Sequence, residues 1–245
     1  MGKERILKPK KLEKVDIIIS LKNVTKIYDG GSQETVALSD VSIDISEGDM
    51  VVIFGPSGSG KTTFLNLIGG LDRPTSGKLI IDGQDITAFN NNELNIYRRT
   101  KIGFIFQFFN LFDSLTSAEN VKLALELVEK DKKKLNKRAV ELLEWVELGD
   151  KINSFPGELS GGQQQRVAIA RAIAKGNRII LADEPTGNLD SKTGKMVLNI
   201  MHELNHKHGM TFVIVTHDLS IQKIADKIIE LKDGKIKSIK NGIEG

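Results

Sequence analysis

Cysteine is absent from the chain, which excludes disulfides and every metal site built on thiolates, and fits a reducing compartment such as the cytosol. No apolar run comes near the roughly 18–20 residues that crossing a bilayer requires. The first residues, "MGKERILKPKKLEK", are charged and lack the apolar stretch of a secretory signal. Excess positive charge is scarce outside that tail. The tail holds six Lys/Arg against two Glu, whereas residues 15–245 carry 29 Lys/Arg and 30 Asp/Glu. A nucleic-acid binder would more often spread basic charge over its fold, so no nucleic acid is expected as a partner. Residues 1–15 read as a basic, solvated extension without order. Attraction to anionic lipid head groups is the sharper alternative, and a weak effect for so few charges. Internal repeats are missing, and "KDKKK" at 130–134 is the only low-complexity run.

What remains is a 245-residue chain, 40% apolar, long enough for one large domain or two small ones with a sizeable core. Its first ninety residues are strand-rich. "DIIISLKNVTKIY" (16–28), "VALSDVSIDIS" (36–46) and "KLIIDGQDI" (78–86) combine β-branched residues with turn signals at Gly30-Gly31, Glu47-Gly48 and Asp82-Gly83. "MVVIFG" (50–55), "RIILAD" (178–183) and "TFVIVTHD" (211–218) are short continuous apolar runs of the kind buried in parallel sheets. Helical patterns over 61–70, 162–175 and 192–208 separate them. Such alternation predicts an α/β fold with a mainly parallel sheet. Residues 117–149 are amphipathic without strand signals, and predict a helical subdomain inserted into that core.

"GPSGSGKTT", Gly55 to Thr63, fits G-x-x-x-x-G-K-[ST] between a predicted strand and a predicted helix. Glycines at 55, 58 and 60 let the backbone, with Ser57, Ser59 and Thr63 in the same loop, wrap phosphate oxygens with its N–H groups. The helix that follows adds the positive end of its dipole. Lys61 is expected to reach the β- and γ-phosphates, and the Thr62 hydroxyl to bind Mg²⁺. Kinases, GTPases and motor ATPases share this loop, so it predicts nucleotide binding and leaves the reaction open.

"RIILADEP" places Asp183 and Glu184 just past a buried strand, at the edge where open parallel sheets bind ligands. Asp183 would hold Mg²⁺ through a water, and Glu184 would polarise the water that attacks the γ-phosphate. Adjacent carboxylates resist joint ionisation, so a metal beside Asp183 would help to keep both charged. His217, in "VIVTHD", ends another apolar strand within reach of the γ-phosphate and Glu184. Gln107, in "IGFIFQFFN", ends a further one, where its amide would reach the metal or the attacking water. His202, His206 and His208 have the spacing of a metal site, but no carboxylate cluster or cysteine joins them, and they read as an exposed helix end.

Together, "GPSGSGKTT", Gln107, "LSGGQQQR", "ILADEPTGNLD" and "VTHD", in this order, resemble the nucleotide-binding subunits of ATP-binding cassette transporters over roughly residues 16–240. "LSGGQ" beside a phosphate loop is highly specific, and the GTPase signature N-K-x-D does not occur. "GGLDRPTSG", "QQQRVAIARA" and "DEPTGNLDSKTG" resemble the subgroup serving lipoprotein release, macrolide or antimicrobial-peptide export and cell division. Phe108, where that subgroup often has a second glutamine, and the basic tail depart from it.

The resemblance implies a P-loop ATPase core with an N-terminal antiparallel β-subdomain and a helical subdomain over about 108–160. It implies two copies packed head to tail around two ATP, with Ser160, Gly161, Gly162 and Gln163 of each reaching the γ-phosphate held by the other. Small residues at a helix N-terminus, with free N–H groups and a dipole, suit that contact. Tyr28 would stack on adenine, and Asp190 would lie in a loop crossing the dimer interface. Gln107 would sense the γ-phosphate and Mg²⁺. The chain would be cytoplasmic, held on the inner face of the membrane by a separate permease, and would drive export or mechanotransmission. A DNA-repair, chromosome or ribosome ATPase is the alternative. Against it, only about fifty residues separate Gln107 from Ser160, without the heptads of a coiled coil.

Overall fold

Strands buried on both faces must be apolar at every position, and β3 (Met50–Phe54), β7 (Ile179–Asp183) and β8 (Thr211–Val215) meet that demand almost without exception. They lie at the centre of a six-stranded sheet in a computed structural model that describes residues 16–31 and 33–242. The basic extension assigned to residues 1–15 lies outside the described residues. The sheet order is β10-β9-β3-β8-β7-β6, with β6 Ile102–Ile105, β9 Lys227–Lys232 and β10 Lys235–Asn241. β9, β3, β8, β7 and β6 run parallel, and β10 returns antiparallel along β9.

Alternate residues of the central strands feed two separate cores. Met50, Val52, Ile180, Ala182, Phe212 and Ile214 face one, beneath α5 (Gly161–Ile173) and α6 (Ser191–His208). Val51, Ile53, Ile179, Leu181, Val213 and Val215 face the other, with Phe64 and Leu67 of α1 (Lys61–Ile68). That second core is closed by a four-stranded antiparallel sheet of order β2-β1-β4-β5, from β1 (Ile17–Asp29), β2 (Glu34–Ser46), β4 (Ser76–Ile81) and β5 (Gln84–Asp85). Its register sets Ile19 opposite Ile81 and Leu21 opposite Leu79, all four buried. The 78–86 stretch is a hairpin that turns at the Asp82-Gly83 signal, with φ 49° and 75°.

From residue 106 to residue 160 there is no strand. α3 (Ser117–Leu125) and α4 (Lys132–Trp145) occupy this stretch and pack on α5. Each starts at a side-chain cap, Thr116 with Glu119 in a reciprocal box and Asp131 on the N–H groups of Lys133 and Lys134. Asn120, fully buried, ties down the preceding loop: it accepts from the Phe112 N–H at 2.9 Å and donates to the carbonyls of Phe112, Leu115 and Thr116. Beyond the sequence expectation lie α2 (Asn91–Lys101), capped by Asn90 and Glu93, and the β9–β10 hairpin, which turns at Asp233-Gly234.

Candidate active site

Because β3, β6, β7 and β8 run parallel, their carboxyl ends share one edge of the sheet, the edge where ligands of such folds bind. A cleft of about 530 Å³ opens there, lined by the 55–63 loop, Gln107, Asp183, Glu184 and His217. Its further wall is Thr35, Val36 and Ala37 of β2, residues that no sequence motif marked. The antiparallel sheet therefore contributes to the site as well as to the core.

The loop from Gly55 to Gly60 ends in a left-handed turn, with Gly60 at φ 101°. A β-carbon on Gly60 would lie 2.4 Å from the Ala37 carbonyl oxygen, so both the conformation and the space demand glycine. Lys61 curls back and donates from Nζ to the carbonyls of Gly55 and Pro56 at 2.8 and 2.9 Å. Its ammonium is thus held at the mouth of the loop by neutral partners that an anion can replace. Ser57, Gly58, Thr62 and Thr63 line the cleft beside it. Ser59 does not: its hydroxyl is buried against Gly55 without a hydrogen-bond partner, and its N–H donates to the Pro56 carbonyl at 3.2 Å.

Asp183 ends β7 and lines the cleft together with Lys61. Burial, and then the adjacent Glu184 charge, push its carboxyl above the usual carboxylate range, while Lys61 pulls the other way. Glu184 adopts φ 46°, an uncommon left-handed backbone for a side-chain-bearing residue, and its N–H donates to the Val215 carbonyl at 2.9 Å. Its carboxylate is turned toward β8. There Oε2 accepts from the Thr216 hydroxyl at 2.9 Å, and Oε1 accepts from the His217 N–H at 3.1 Å and meets His217 Nδ1 at 2.9 Å. Gln107 sits two residues past β6, where its amide nitrogen approaches the backbone of Gly187.

Tyr28 faces Thr35 across the β1–β2 ladder, at the rim of the cleft. Its hydroxyl donates to Asp72 at 2.8 Å, and the Lys26 ammonium lies 4.7 Å from the ring centre. Burial and the Asp72 carboxylate raise its phenol pKa.

Ser160, Gly161, Gly162 and Gln163 do not line this cleft. Ser160 caps α5, its N–H donating to Gln163 Oε1 at 2.8 Å. Asp190 caps α6, accepting from the N–H groups of Lys192 and Thr193 at 3.0 Å. The sites of these residues lie on two helix starts that pack against each other. Of the histidines on α6, His208 stacks on Trp145, with ring centres 4.0 Å apart.

A family model described as ABC transporter matches residues 38–187. The chain belongs to the ABC transporter family. Among relatives of this ABC transporter chain is an ABC transporter ATP-binding protein of Methanocaldococcus jannaschii, MJ1508. It is 51% identical over 224 residues, covering 91% of the chain and all of the relative. The macrolide export ATP-binding/permease protein MacB of Campylobacter jejuni is 49% identical over 90% of the chain, which spans only 34% of MacB. The ABC transporter chain also superposes on the dimeric, post-hydrolysis state of the ATP-binding cassette MJ0796 bound to ADP and phosphate. That match has a TM-score of 0.83 and 47% identity, and covers 91% of this chain and 98% of the other.

Proposed function

We propose that this ABC transporter chain binds ATP in the cleft and hydrolyses it, and that two copies close head to tail around two ATP to drive a membrane permease. The observation that carries the reading is the position of Glu184. It sits at the edge of the cleft next to Asp183, on the same sheet edge as a phosphate loop whose lysine donates to two neutral carbonyls. That edge can receive a triphosphate at the loop and a water at the carboxylate.

In this reading the 55–60 backbone and the start of α1 cradle the phosphates, and Lys61 releases its two carbonyls to meet the β- and γ-oxygens. Glu184 accepts the proton of the attacking water, and His217, in contact with it, faces the γ-phosphate. Thr62, Gln107 and Asp183 are hard oxygen donors gathered in one cleft, a set that suits Mg²⁺. The raised Asp183 pKa marks a carboxylate short of compensating charge, which also fits a cation there. Magnesium held there would supply positive charge against the negative charge that develops on the phosphate oxygens. Tyr28, which pairs with Thr35 across the β1–β2 ladder, would stack on the base.

Ser160 to Gln163 lie outside the cleft of their own chain, which suits a γ-phosphate contact made on the second copy. The dimeric state of the MJ0796 cassette supports that arrangement. Residues 108–160, as a helical subdomain, and the Gln107 loop would face the permease. No described helix is long and apolar enough to cross a membrane. We place the permease on a separate polypeptide, with this chain at the cytoplasmic face. The transport reading stands above a DNA-repair or ribosomal one because relatives matching along their length are ABC transporter ATP-binding proteins.

Replacing Glu184 by Gln should leave ATP binding intact and lower turnover by about 10²–10⁴-fold. Phosphate release at the wild-type rate from that variant would refute the base assignment.

A further inference from the structure

Thr216 stands inside "VTHD" with no role assigned to it, yet its hydroxyl is a buried donor on the Glu184 carboxylate. It follows β8 directly and is 1% exposed. Its N–H donates to the Ile53 carbonyl of β3 at 3.1 Å. A hydroxyl has one proton to give. The Thr216 oxygen accepts from the Asp218 N–H at 3.0 Å, so its own proton goes to Glu184 Oε2 at 2.9 Å. Backbone, side chain and proton are all fixed in one arrangement.

His217 holds the same carboxylate in a different way. Its side chain is 73% exposed, so its ring can swing to a ligand in the cleft and give up the 2.9 Å contact with Oε1. Thr216 has no such freedom. When the ring leaves, the Thr216 hydroxyl remains as a fixed side-chain donor on the carboxylate.

We propose that Thr216 is a positioning residue for hydrolysis. It pins Glu184 Oε2 so that Oε1 is the oxygen presented to the attacking water. The proposal rests on the reading of Glu184 as the general base. It also accounts for the unusual backbone of Glu184: at φ 46° the side chain is directed back toward the end of β8, where the hydroxyl waits. A proton acceptor displaced by about 1 Å costs up to about 10²-fold in rate, while nucleotide affinity, set at the phosphate loop, is untouched.

The test is steady-state ATP hydrolysis by the full chain carrying Thr216→Val, which keeps the shape and removes the donor, and Thr216→Ser, which keeps the donor. Each is also combined with Glu184→Gln, and thermal melting is followed for all. The expected result is a 10–100-fold fall in kcat for Thr216→Val with KM for ATP within twofold, recovery to within about threefold in Thr216→Ser, and no further loss from Thr216→Val in the Glu184→Gln background. The proposal is overturned if Thr216→Val keeps the wild-type kcat beside a silenced Glu184→Gln, if it raises KM instead, or if it costs the same factor in both backgrounds. A Glu184→Gln variant with wild-type turnover would instead remove the base assignment on which the proposal stands.

Discussion

A β-carbon on Gly162 would lie 2.1 Å from the methyl group of Thr193. The start of α5 therefore meets the first turn of α6 with only the Thr193 side chain between the two backbones. Thr193 cannot swing clear, because its hydroxyl is bonded to Asp190 Oδ2 at 2.5 Å. The short stretch after Ser160 thus has a packing reason for glycine within its own chain, beside any contact it makes with a nucleotide.

Gly162→Ala is accordingly expected to overpack this contact and destabilise the fold by about 1–3 kcal/mol. Thr193→Ser keeps the hydroxyl on Asp190 and deletes the methyl, so the double variant Gly162→Ala/Thr193→Ser should recover most of the loss. Thermal melting of the three variants checks this. A double variant no better than Gly162→Ala alone would show that the clash lies elsewhere.

The Asp183 carboxyl titrates above its ordinary value through burial and the Glu184 charge. With the folded pKa raised, the stabilisation from the protonated form is full below the unfolded-state value and is lost as pH rises through the folded one. At neutral pH the nucleotide-free protein therefore bears the cost. Asp183→Asn should raise its melting temperature by about 2–4 °C there, with the gap closing as pH falls into the carboxyl range, and should abolish hydrolysis. A melting temperature that falls at neutral pH would contradict the assignment.

Among the described residues, Lys61 hydrogen-bonds to two carbonyls of its own loop, and its proposed partners are phosphate oxygens. Lys61→Met should weaken ATP binding by about 10–100-fold, the worth of a hydrogen bond to a charged group. Equilibrium titration with nucleotide measures it, and unchanged affinity would move the phosphates away from this loop.

His208 closes α6 against Trp145, the chain's only tryptophan. Burial, then the Arg138 and Lys207 charges, lower its pKa below the ordinary histidine value. The stability it contributes is present above that ordinary value and fades as pH falls through the lower folded one. The drop in melting temperature between pH 7.5 and 5.5, followed by Trp145 emission, should be smaller in His208→Gln than in the wild type. Equal drops would exclude a part for this ring pair.

Much of this was legible beforehand because the strongest signals are also the most local. "MVVIFG", "RIILAD" and "TFVIVTHD" are apolar throughout because β3, β7 and β8 are covered on both faces. Once they are parallel, the residues at or just past their ends, Gly55, Asp183, Glu184 and His217, must share an edge. α2 was harder to see. Only Leu94 and Tyr97 of its eleven residues are buried, so it carries almost no apolar stripe, although its Asn90–Glu93 capping box was there to be read. β10 is an edge strand with exposed lysines and a faint pattern. Thr35 to Ala37 look like any alternating strand, because what brings them to the cleft is the packing of one sheet on another. Thr216 lies beside a histidine that drew attention by its chemistry, whereas a buried hydroxyl declares its role only through its partners.

The central claim is that two copies share each ATP, one through the loop around Lys61 and the other through Ser160 to Gly162. It is tested most directly by the mass in solution of Glu184→Gln, with saturating ATP and magnesium and without nucleotide, by analytical ultracentrifugation. The account predicts a species of twice the 27.0 kDa chain mass that forms with ATP and disperses when the nucleotide is removed or when Ser160 is replaced by a bulky residue. A variant that binds ATP and stays at the mass of one chain would contradict it.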